Sequence, residues 1–413
     1  MLLRAWPASS CSRDLTNGAW LMRPLKGITR NVVVLGLVSF LTDASSEMIS
    51  PLLPTFLTTV LGVGPAVLGV IEGAAESTAA FLKLVSGAWA DRARDRAKLV
   101  LAGYSLSSFS RPLIAAATSA GAVLAVRVTD RVGKGIRTSP RDAIIADSVG
   151  ASVRGKAYGF HRAMDHAGAV VGPLMATGLL AWCVTDLRTL FWWAAVPGIL
   201  AVLLVLVGVR EVPAKTPRPQ EHYRFRLQLP TGTLRAYVLI LLLFTLGNSS
   251  DAFLLLRAGT LGVSTAGLPL IWVLLHVVKM LSVMPFGAWS DRLGRHRMIV
   301  AGWVVYALAY AGFAVATTAW HVWCLFGLYG VFYGLTEGVE RAFLVDLAPP
   351  AQRGMAFGWY NFMIGVGALP ASVLFGFLWQ RIGPHAAFGC GAALAAISAI
   401  LLLTLIRPSS SLA

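Results

Sequence analysis

The chain has 413 residues, of which 56% are hydrophobic and only 13% carry a charged side chain. Soluble domains carry charge on about a quarter of their residues, so this composition excludes an ordinary soluble fold and favours membrane spans. The net charge of +16 does not predict nucleic-acid binding, because most Lys and Arg residues lie between apolar runs, where the positive-inside rule places them.

The N-terminal segment and the cysteines carry no sign of processing or metal binding. Residues 1–29 lack the continuous apolar stretch of a signal peptide, so we interpret them as a cytoplasmic tail. The cysteines are scattered, without a CxxC pair or a nearby histidine at zinc-ligand spacing, and we expect neither disulfides nor a metal site. They are Cys11, Cys183, Cys324 and Cys390.

Twelve apolar runs follow, each close to or above the roughly 20 residues that a membrane span requires. The first six are 31–60, 65–89, 99–119, 121–147, 154–183 and 188–209. The other six are 236–259, 266–289, 298–318, 320–347, 354–379 and 385–406. A polar, basic and proline-rich segment between the two groups predicts a linker. We therefore predict an all-α membrane protein with twelve transmembrane helices in two six-helix bundles. The predicted units are bundle 30–210, linker 211–234, bundle 235–407 and a short tail, 408–413.

The distribution of Lys and Arg predicts the orientation of these spans. Cations cluster in the loops at 92–98, 154–156, 292–297 and 353, and in the linker, whereas the loops on the other side hold few. By the positive-inside rule, both termini and the linker should lie on the cytoplasmic side of a bacterial inner membrane.

The two halves resemble each other in sequence. GAWADR at 87–92 matches GAWSDR at 287–292, and RDAIIAD at 141–147 matches ERAFLVD at 340–346. VRGKAYGF at 153–160 also matches QRGMAFGW at 352–359. Duplicated halves are typical of transporters, whose substrate site lies near mid-membrane between the repeats.

The stretch GAWSDRLGRHR, which begins at Gly287, resembles the loop between spans 2 and 3 of the major facilitator superfamily, here repeated between spans 8 and 9. The first copy departs from that pattern, because Arg94 replaces a glycine and Asp95 replaces a basic residue. The resemblance implies a set of gate residues: Gly87, Asp91, Arg92, Gly287, Asp291, Arg292, Gly294 and Arg295. The two aspartates could latch neighbouring helices, or could act as static helix caps.

Two further motifs resemble the same family. Arg127 falls where the family has a span-4 arginine associated with proton coupling, although the neighbouring positions differ. Gly168, Gly172 and Pro173 form a G-x-x-x-G-P pattern similar to one common in antiporters of the superfamily, and small residues at this spacing let helices approach closely. The resemblance implies the fold and transport, points to antiport and leaves the substrate open.

Several predicted spans contain ionisable residues, which are costly in a membrane and normally face a cavity or a partner. In spans 1 and 2, Asp43 with Glu47, and Glu72 with Glu76, lie four residues apart and so share helix faces. Span 4 carries a charged row on one face: Arg127, Asp130, Arg131 and Lys134. We predict that this row faces a cavity, with structural pairing as the alternative. Nearer the cytoplasmic end, Arg137, Arg141 and Asp142 are explained equally well as interfacial anchors.

Span 5 and the second half supply the remaining candidates. A histidine beside a carboxylate is a plausible proton carrier, and span 5 contains His161, Arg162, Asp165 and His166. A structural ion pair is the alternative, and a metal site would need a further ligand. The second half offers fewer charges, chiefly Asp251, His276 and Lys279, so we expect coupling to be concentrated in the first half. The segment Trp359, Tyr360 and Asn361 is a weaker candidate for a substrate wall.

These features predict a transporter that works by alternating access of its two bundles. We expect proton-coupled antiport that exports a drug-like, siderophore-like or organic-ion compound, with Glu47, Glu76 or Asp165 as proton carrier. The alternatives are symport or proton-independent uptake of a metabolite, a membrane-embedded lipid enzyme, and a sensor that reuses the fold. We expect no enzymatic activity and no cofactor besides an ion gradient. The expected partners are a small-molecule substrate and membrane lipids, with a monomeric chain.

Overall fold

A computed structural model describes residues 28–92, 95–150, 154–211, 230–348 and 353–406. These residues form twelve long helical segments and no β-strand. The first six are α1 (Arg30–Val60), α2 (Pro65–Arg92), α3 (Arg96–Ser110), α4 (Ala120–Ser148), α5 (Arg154–Trp182) and α6 (Leu187–Gly208). The other six are α7 (Gly232–Thr260), α8 (Leu268–Leu293), α9 (Arg295–Val315), α10 (Ala319–Leu347), α11 (Arg353–Arg381) and α12 (Pro384–Leu405). Most of the predicted linker and nearly all of both predicted tails lie outside the described residues.

The helices correspond one to one with the predicted spans. By length and apolar composition, eight of the described helices can cross a membrane, namely α1 and α6 to α12. The remaining four, α2 to α5, contain most of the charged residues that the sequence places at membrane depth. The first bundle therefore combines the membrane fold with an unusually polar interior.

Four of the helices are interrupted where the sequence predicts continuous spans, and in α6 the interruption is the single turn residue Ala194. In α1, the α-helix ends at Ile49 and continues as a 3-10 turn, Ser50–Leu52, and a π turn, Phe56–Val60. Pro51 and Pro54 lie in this part, and each removes a backbone N–H that a regular helix would use. Breaks also separate Gly247 from Ala252 in α7 and Thr336 from Val339 in α10. Broken helices of this kind line binding cavities in transporters.

The two bundles repeat the same packing. In the first bundle α1 packs against α5 and α6, α4 against α2 and α3, and α3 against α6. The second bundle repeats this arrangement with α7 against α11 and α12, α10 against α8 and α9, and α9 against α12. The two bundles meet where α2 packs against α11 and α5 against α8.

Glycines allow the closest helix contacts. A Cβ atom on Gly168 would overlap the carbonyl oxygen of Phe40, and one on Gly172 would overlap that of Ala44, so both positions require glycine for α5 to lie against α1. Between the bundles, a Cβ on Gly69 of α2 would overlap the carbonyl oxygen of Ser372 of α11. The G-x-x-x-G spacing thus serves the contact between the first and fifth helices.

We call the end of the molecule that holds the start of α1 the terminal face, and the other end the opposite face. At the terminal face, Arg96 Nη1 lies 2.7 Å from Asp147 Oδ2, joining α3 to α4. At the corresponding helix ends of the second bundle, Arg295 Nη1 lies 2.5 Å from Asp346 Oδ1 and joins α9 to α10. Both pairs lie within a bundle, so they hold each bundle together at this face.

The helices that follow the two signature loops begin differently. Gly294 has φ 91°, which favours glycine, and it connects α8 to α9. In the first copy, Asp95 caps α3 by accepting a hydrogen bond from the Lys98 backbone N–H at 3.1 Å. The hydrogen bonds and the charge of Lys98 hold the pKa of Asp95 below its usual range. The departure from the family pattern at this position therefore provides a helix cap.

The predicted gate residues are only partly described. The side chains of Asp91, Arg92 and Asp291 and the surroundings of Gly87 lie outside the described part of the structure, so the latch remains a prediction. Arg292 is exposed, and a Cβ on Gly287 would meet no atom within 4 Å. The described ion pairs between helices at this face include those of Arg96 and Arg295.

Candidate functional site

A cavity of about 440 Å³ lies between the two bundles. Its wall is built from both bundles and includes the broken parts of α1 and α7. Small-molecule sites in proteins usually have volumes of about 300–1,000 Å³. The ionisable residues that line this cavity are Glu47, Glu72, Glu76, Arg127, Arg131, Asp251 and Arg341.

Two ion pairs connect α2 to α4 along one wall of the cavity. Arg127 Nη2 lies 2.7 Å from Glu72 Oε2, and both side chains are buried. One turn further, Arg131 Nη2 lies 2.8 Å from Glu76 Oε1, and here the Glu76 side chain is 49% exposed. Removing one partner of a buried pair leaves an uncompensated charge, which is strongly destabilising. Glu76 differs from Glu72 because its carboxylate is both paired and open to the cavity.

A second, enclosed pocket of about 30 Å³ adjoins these pairs. Asp43, Asp130 and Lys134 line it, together with Glu47, Arg127 and Arg131. The predicted charged row on α4 therefore does face a common space with the acidic face of α1. The volume of this pocket is enough for a water molecule but not for an organic solute.

Arg111, at the end of α3, is a buried partner that the sequence interpretation missed. Its Nε atom lies 2.7 Å from Asp130 Oδ1, and its Nη1 atom donates a 2.9 Å hydrogen bond to the carbonyl oxygen of Thr42. These contacts tie α3 to α4 and α1. An arginine inside the apolar run 99–119 was the available signal, since a charge at that depth needs a partner.

The interfacial-anchor interpretation of Arg137 is wrong. Its side chain is buried, donates a 2.8 Å hydrogen bond to Ser107 Oγ, and places its guanidinium carbon 4.3 Å from the centre of the Tyr104 ring. Arg141 is also buried, and its Nη2 atom lies 2.8 Å from Asp142 Oδ1. Both arginines pack within the first bundle, because the α4 face that carries them is turned toward neighbouring helices rather than toward lipid headgroups.

Glu47 and Asp251 occupy related positions at the breaks of α1 and α7. Ala44-Ser-Ser-Glu47 matches Asn248-Ser-Ser-Asp251, a short repeat that identifies the two carboxylates as counterparts. The second bundle thus supplies an acidic counterpart to Glu47, and the concentration of coupling in the first half stays a prediction.

The hydrogen-bond partners of these two carboxylates are neutral. Glu47 Oε2 accepts a 2.8 Å hydrogen bond from Trp272 Nε1 of α8. The two carboxylate oxygens of Asp251 accept hydrogen bonds from the hydroxyls of Tyr329 at 2.6 Å and Tyr333 at 3.0 Å. Among the described residues, neither carboxylate forms an ion pair with a Lys, Arg or His side chain within 4 Å.

The span-5 candidates lie outside these two cavities. Asp165 Oδ2 lies 3.6 Å from His161 Nδ1 and 3.5 Å from Arg162 Nη1, and its other oxygen accepts a hydrogen bond from Ser39 of α1. His166 is half-buried on the same helix. This group links α5 to α1 beside the Gly168 contact, so structural pairing accounts for its geometry.

The α8 candidates lie toward the terminal face from Trp272. Lys279 Nζ lies 3.1 Å from Glu337 Oε2 and 4.2 Å from the centre of the Tyr333 ring. The His276 ring packs edge-on against Trp272, with 5.2 Å between ring centres, and both of its nitrogens are buried without a hydrogen-bond partner in the described part of the chain. Neither residue lines the two cavities described above.

Aromatic and amide side chains complete the wall of the larger cavity. Trp272, Tyr333, Tyr360 and Asn361 all line it. Of the predicted wall segment, only Trp359 lies elsewhere, packed edge-on against Phe362 with 5.4 Å between ring centres. The aromatic rings on this wall thus come from the second bundle, and the Arg–Glu ion pairs come from the first.

The two bundles touch at the opposite face. The Glu47–Trp272 hydrogen bond joins α1 to α8, and the Ala66 backbone N–H donates to Gln380 Oε1 at 3.2 Å, joining α2 to α11. Near the outer end of α5, the Thr177 hydroxyl donates to the Ala266 carbonyl oxygen at 3.3 Å. These contacts join the bundles on that side of the cavity.

Comparison with known proteins agrees with this architecture. A sequence profile of the Major Facilitator Superfamily matches residues 35–280 and 252–412. An uncharacterized MFS-type transporter of Methanocaldococcus jannaschii is 34% identical over 382 residues, covering 91% of this chain and 95% of that protein. The multidrug resistance protein MdtH of Photorhabdus laumondii is 24% identical, over 78% of this chain and 79% of its own length. A solved structure of a mutant of the nucleoside transporter NupG superposes with a TM-score of 0.77 at 14% identity, covering 91% of this chain and 100% of that chain.

Proposed function

The chain belongs to the Major Facilitator Superfamily, and from this premise we propose that it is a proton-coupled antiporter that exports a small organic ion from the bacterial cytoplasm. It is a multi-pass membrane protein, and members of this family are transporters rather than enzymes, which sets aside the lipid-enzyme alternative. The substrate site of our proposal is the 440 Å³ cavity between the bundles. We place this protein in the inner membrane with both termini cytoplasmic, as the distribution of Lys and Arg predicts.

The observation that carries this proposal is the Arg131–Glu76 ion pair at the cavity wall, with 2.8 Å between its atoms. A proton on Glu76 cancels the carboxylate charge and leaves the Arg131 guanidinium without its counter-ion. The cavity then gains one positive charge in a region of low dielectric constant, where a unit charge acts strongly on its neighbours. Proton binding and binding of a charged solute are consequently linked, and the linkage is reciprocal.

Two observations support antiport over symport. The G-x-x-x-G-P motif, which resembles a motif of antiporters in this superfamily, packs α5 directly against α1 in this structure. A relative at 24% identity is named as a multidrug resistance protein. In our proposal the proton gradient drives export and no other cofactor takes part, with one chain as the working unit.

In the proposed transport cycle, each bundle moves as a rigid body relative to the other. The ion pairs at the terminal face lie within the bundles, so they remain intact when the bundles move relative to each other. The contacts at the opposite face join the two bundles, and they would have to break when the cavity opens on that side. Alternating access then exposes the same cavity first to one side of the membrane and then to the other.

The test uses inside-out vesicles from cells that overproduce the protein, energised to acidify their interior. A panel of organic cations, anions and zwitterions is added while a fluorescent dye reports the pH gradient. We expect one chemical class to collapse the gradient in vesicles with the wild-type chain, and the Glu76→Gln variant to lose at least nine-tenths of this response, about a tenfold effect, since its proton site is gone.

A matched control is Glu211→Gln, which removes a carboxylate at the terminal face that accepts a hydrogen bond from the Ala97 backbone N–H at 2.8 Å. This variant should retain the response of the wild type. Folded wild-type protein that leaves the gradient intact with every compound would contradict proton antiport, and so would a full response in Glu76→Gln.

A further inference from the structure

We propose that the exported solute is an organic cation, such as an amine or a guanidine, and that Glu47 and Asp251 hold its positive group between the two bundles. The inference rests on the proposed antiport and names the substrate class of the same cavity. It is carried by the charge state of the cavity wall, by the pseudo-symmetric positions of the two carboxylates, and by the aromatic rings beside them.

Antiport sets a condition on the charge of the solute. Each site in the cavity must bind the solute less well after it has taken up a proton, because otherwise the two would travel together. A proton adds one positive charge to the cavity. An anion would bind better after that change, which is symport, and a neutral solute would respond little. A cation is the class that a proton displaces by charge alone.

Two of the three arginines on the cavity wall are paired with glutamates, whereas the described residues form no ion pair with either of these two carboxylates. Arg127 and Arg131 are each held by a glutamate at 2.7 and 2.8 Å. Glu47 and Asp251 instead accept hydrogen bonds from one tryptophan and two tyrosines, which carry no charge. A carboxylate accepts about four hydrogen bonds, so each retains capacity for a further donor. The third arginine on the wall, Arg341, is exposed, and water screens its charge.

Most of the other cations near the two carboxylates are paired with acids. Facing Glu47 in the enclosed pocket are Asp43 on its own helix, Arg111 from α3, and Arg127, Asp130, Arg131, Lys134 and Arg137 from α4. Arg111 is paired with Asp130, Arg127 with Glu72 and Arg131 with Glu76. Arg137 donates to Ser107 Oγ, and Lys134 shares the pocket with Asp43. Near Asp251, Lys279 is paired with Glu337, and Glu76 is a further acid on the cavity wall.

The aromatic wall suits an ammonium or guanidinium group. The rings of Trp272, Tyr333 and Tyr360 line the cavity. The Lys279 ammonium already lies 4.2 Å from the centre of the Tyr333 ring, well within the roughly 6 Å over which rings attract cations. Tyr333 also donates its hydroxyl to Asp251, so one side chain joins the ring surface to the carboxylate.

The two carboxylates come from different bundles, Glu47 just before the interruption of α1 and Asp251 in the break of α7. A cation bound to both would contact the two moving bodies at once, which is where a substrate must act in alternating access. A proton on either carboxylate removes half of that attraction. The solute and the proton thus compete for the same two groups, which is the requirement of exchange.

The experiment uses purified full-length protein in liposomes with an imposed pH gradient, acidic inside. The probes are matched sets in which one aromatic framework carries a trimethylammonium, a hydroxymethyl or a sulfonate group. We expect the ammonium member of at least one set to dissipate the gradient tenfold faster than its neutral and anionic counterparts. The rate should fall to that of empty liposomes in Glu47→Gln and in Asp251→Asn.

Glu340→Gln is the matched control. This buried carboxylate also accepts hydrogen bonds from neutral donors, Trp303 Nε1 at 3.0 Å and Tyr360 at 2.8 Å, but it does not line the cavity. It should keep the response, while elution as a single species in size-exclusion chromatography verifies folding of every variant. Dissipation by the sulfonate members alone would overturn the cation inference and leave antiport standing. Dissipation by no member of any set would overturn both proposals, and an unchanged response in the two acidic-site variants would overturn the assignment of Glu47 and Asp251.

Discussion

At the scale of single residues, the interior charges of this protein are organised by their partners rather than by their positions along the helices. The spacing of Arg127, Arg131 and Lys134 predicts a common face of α4, and the structure gives all three a shared pocket. The same reasoning could not supply the partner of each charge. Arg111 and Asp130 are 19 residues apart in sequence, and only the packing of α3 on α4 brings them together.

The Arg111–Asp130 pair should contribute strongly to stability. Arg111→Gln leaves the Asp130 carboxylate buried without its counter-ion, and we expect a loss of about 3–5 kcal/mol. The double variant Arg111→Gln with Asp130→Asn removes the stranded charge and should recover most of that loss. Thermal unfolding in detergent, followed by tryptophan fluorescence, measures both effects. A double variant as unstable as Arg111→Gln would show that stability depends on the ion pair itself rather than on the stranded charge.

At the scale of helices, hydropathy predicts the spans well and their interruptions poorly. The predicted span 121–147 corresponds to a helix at Ala120–Ser148, because the apolar run and the polar loops around it are both local in sequence. The interruptions in α1, α6, α7 and α10 were not predicted. At the break from Asn248 to Asp251, Tyr329, Tyr333 and Ser372 form hydrogen bonds with polar groups of the segment, and these partners lie far along the chain.

Two glycines of α5 test helix packing, because alanine should destabilise the protein at one position and stabilise it at the other. Gly172→Ala places a methyl group against the carbonyl oxygen of Ala44 and should cost about 1–3 kcal/mol, since α1 and α5 would have to separate. Gly159→Ala meets no atom within 4 Å and should stabilise the helix by about 0.5–1 kcal/mol. Thermal unfolding of the two variants in the same detergent compares them directly. Equal stability of the two would contradict the close α1–α5 contact.

At the scale of the whole molecule, three features act together. The repeat creates two bundles whose first helices are both interrupted, and Glu47 and Asp251 lie near these interruptions on the wall of one cavity. In our proposal, the Arg131–Glu76 pair between α4 and α2 makes the charge of that wall depend on a proton. The sequence could predict the repeat, since it is written in short matching segments. It could not predict which charged residues line the cavity, because that depends on how the bundles face each other.

The central claim is that proton and solute exchange at one cavity. The most direct test uses a compound that collapses the pH gradient in the vesicle assay. This compound is added to purified protein in a weakly buffered detergent solution that contains a pH indicator. The account predicts that binding releases protons, approaching about one per chain at saturation, and that Glu76→Gln releases several-fold fewer. Uptake of protons on binding would indicate symport. Saturable binding with no change in pH would show that solute binding is independent of proton binding. Either result would contradict proton–solute exchange at this cavity.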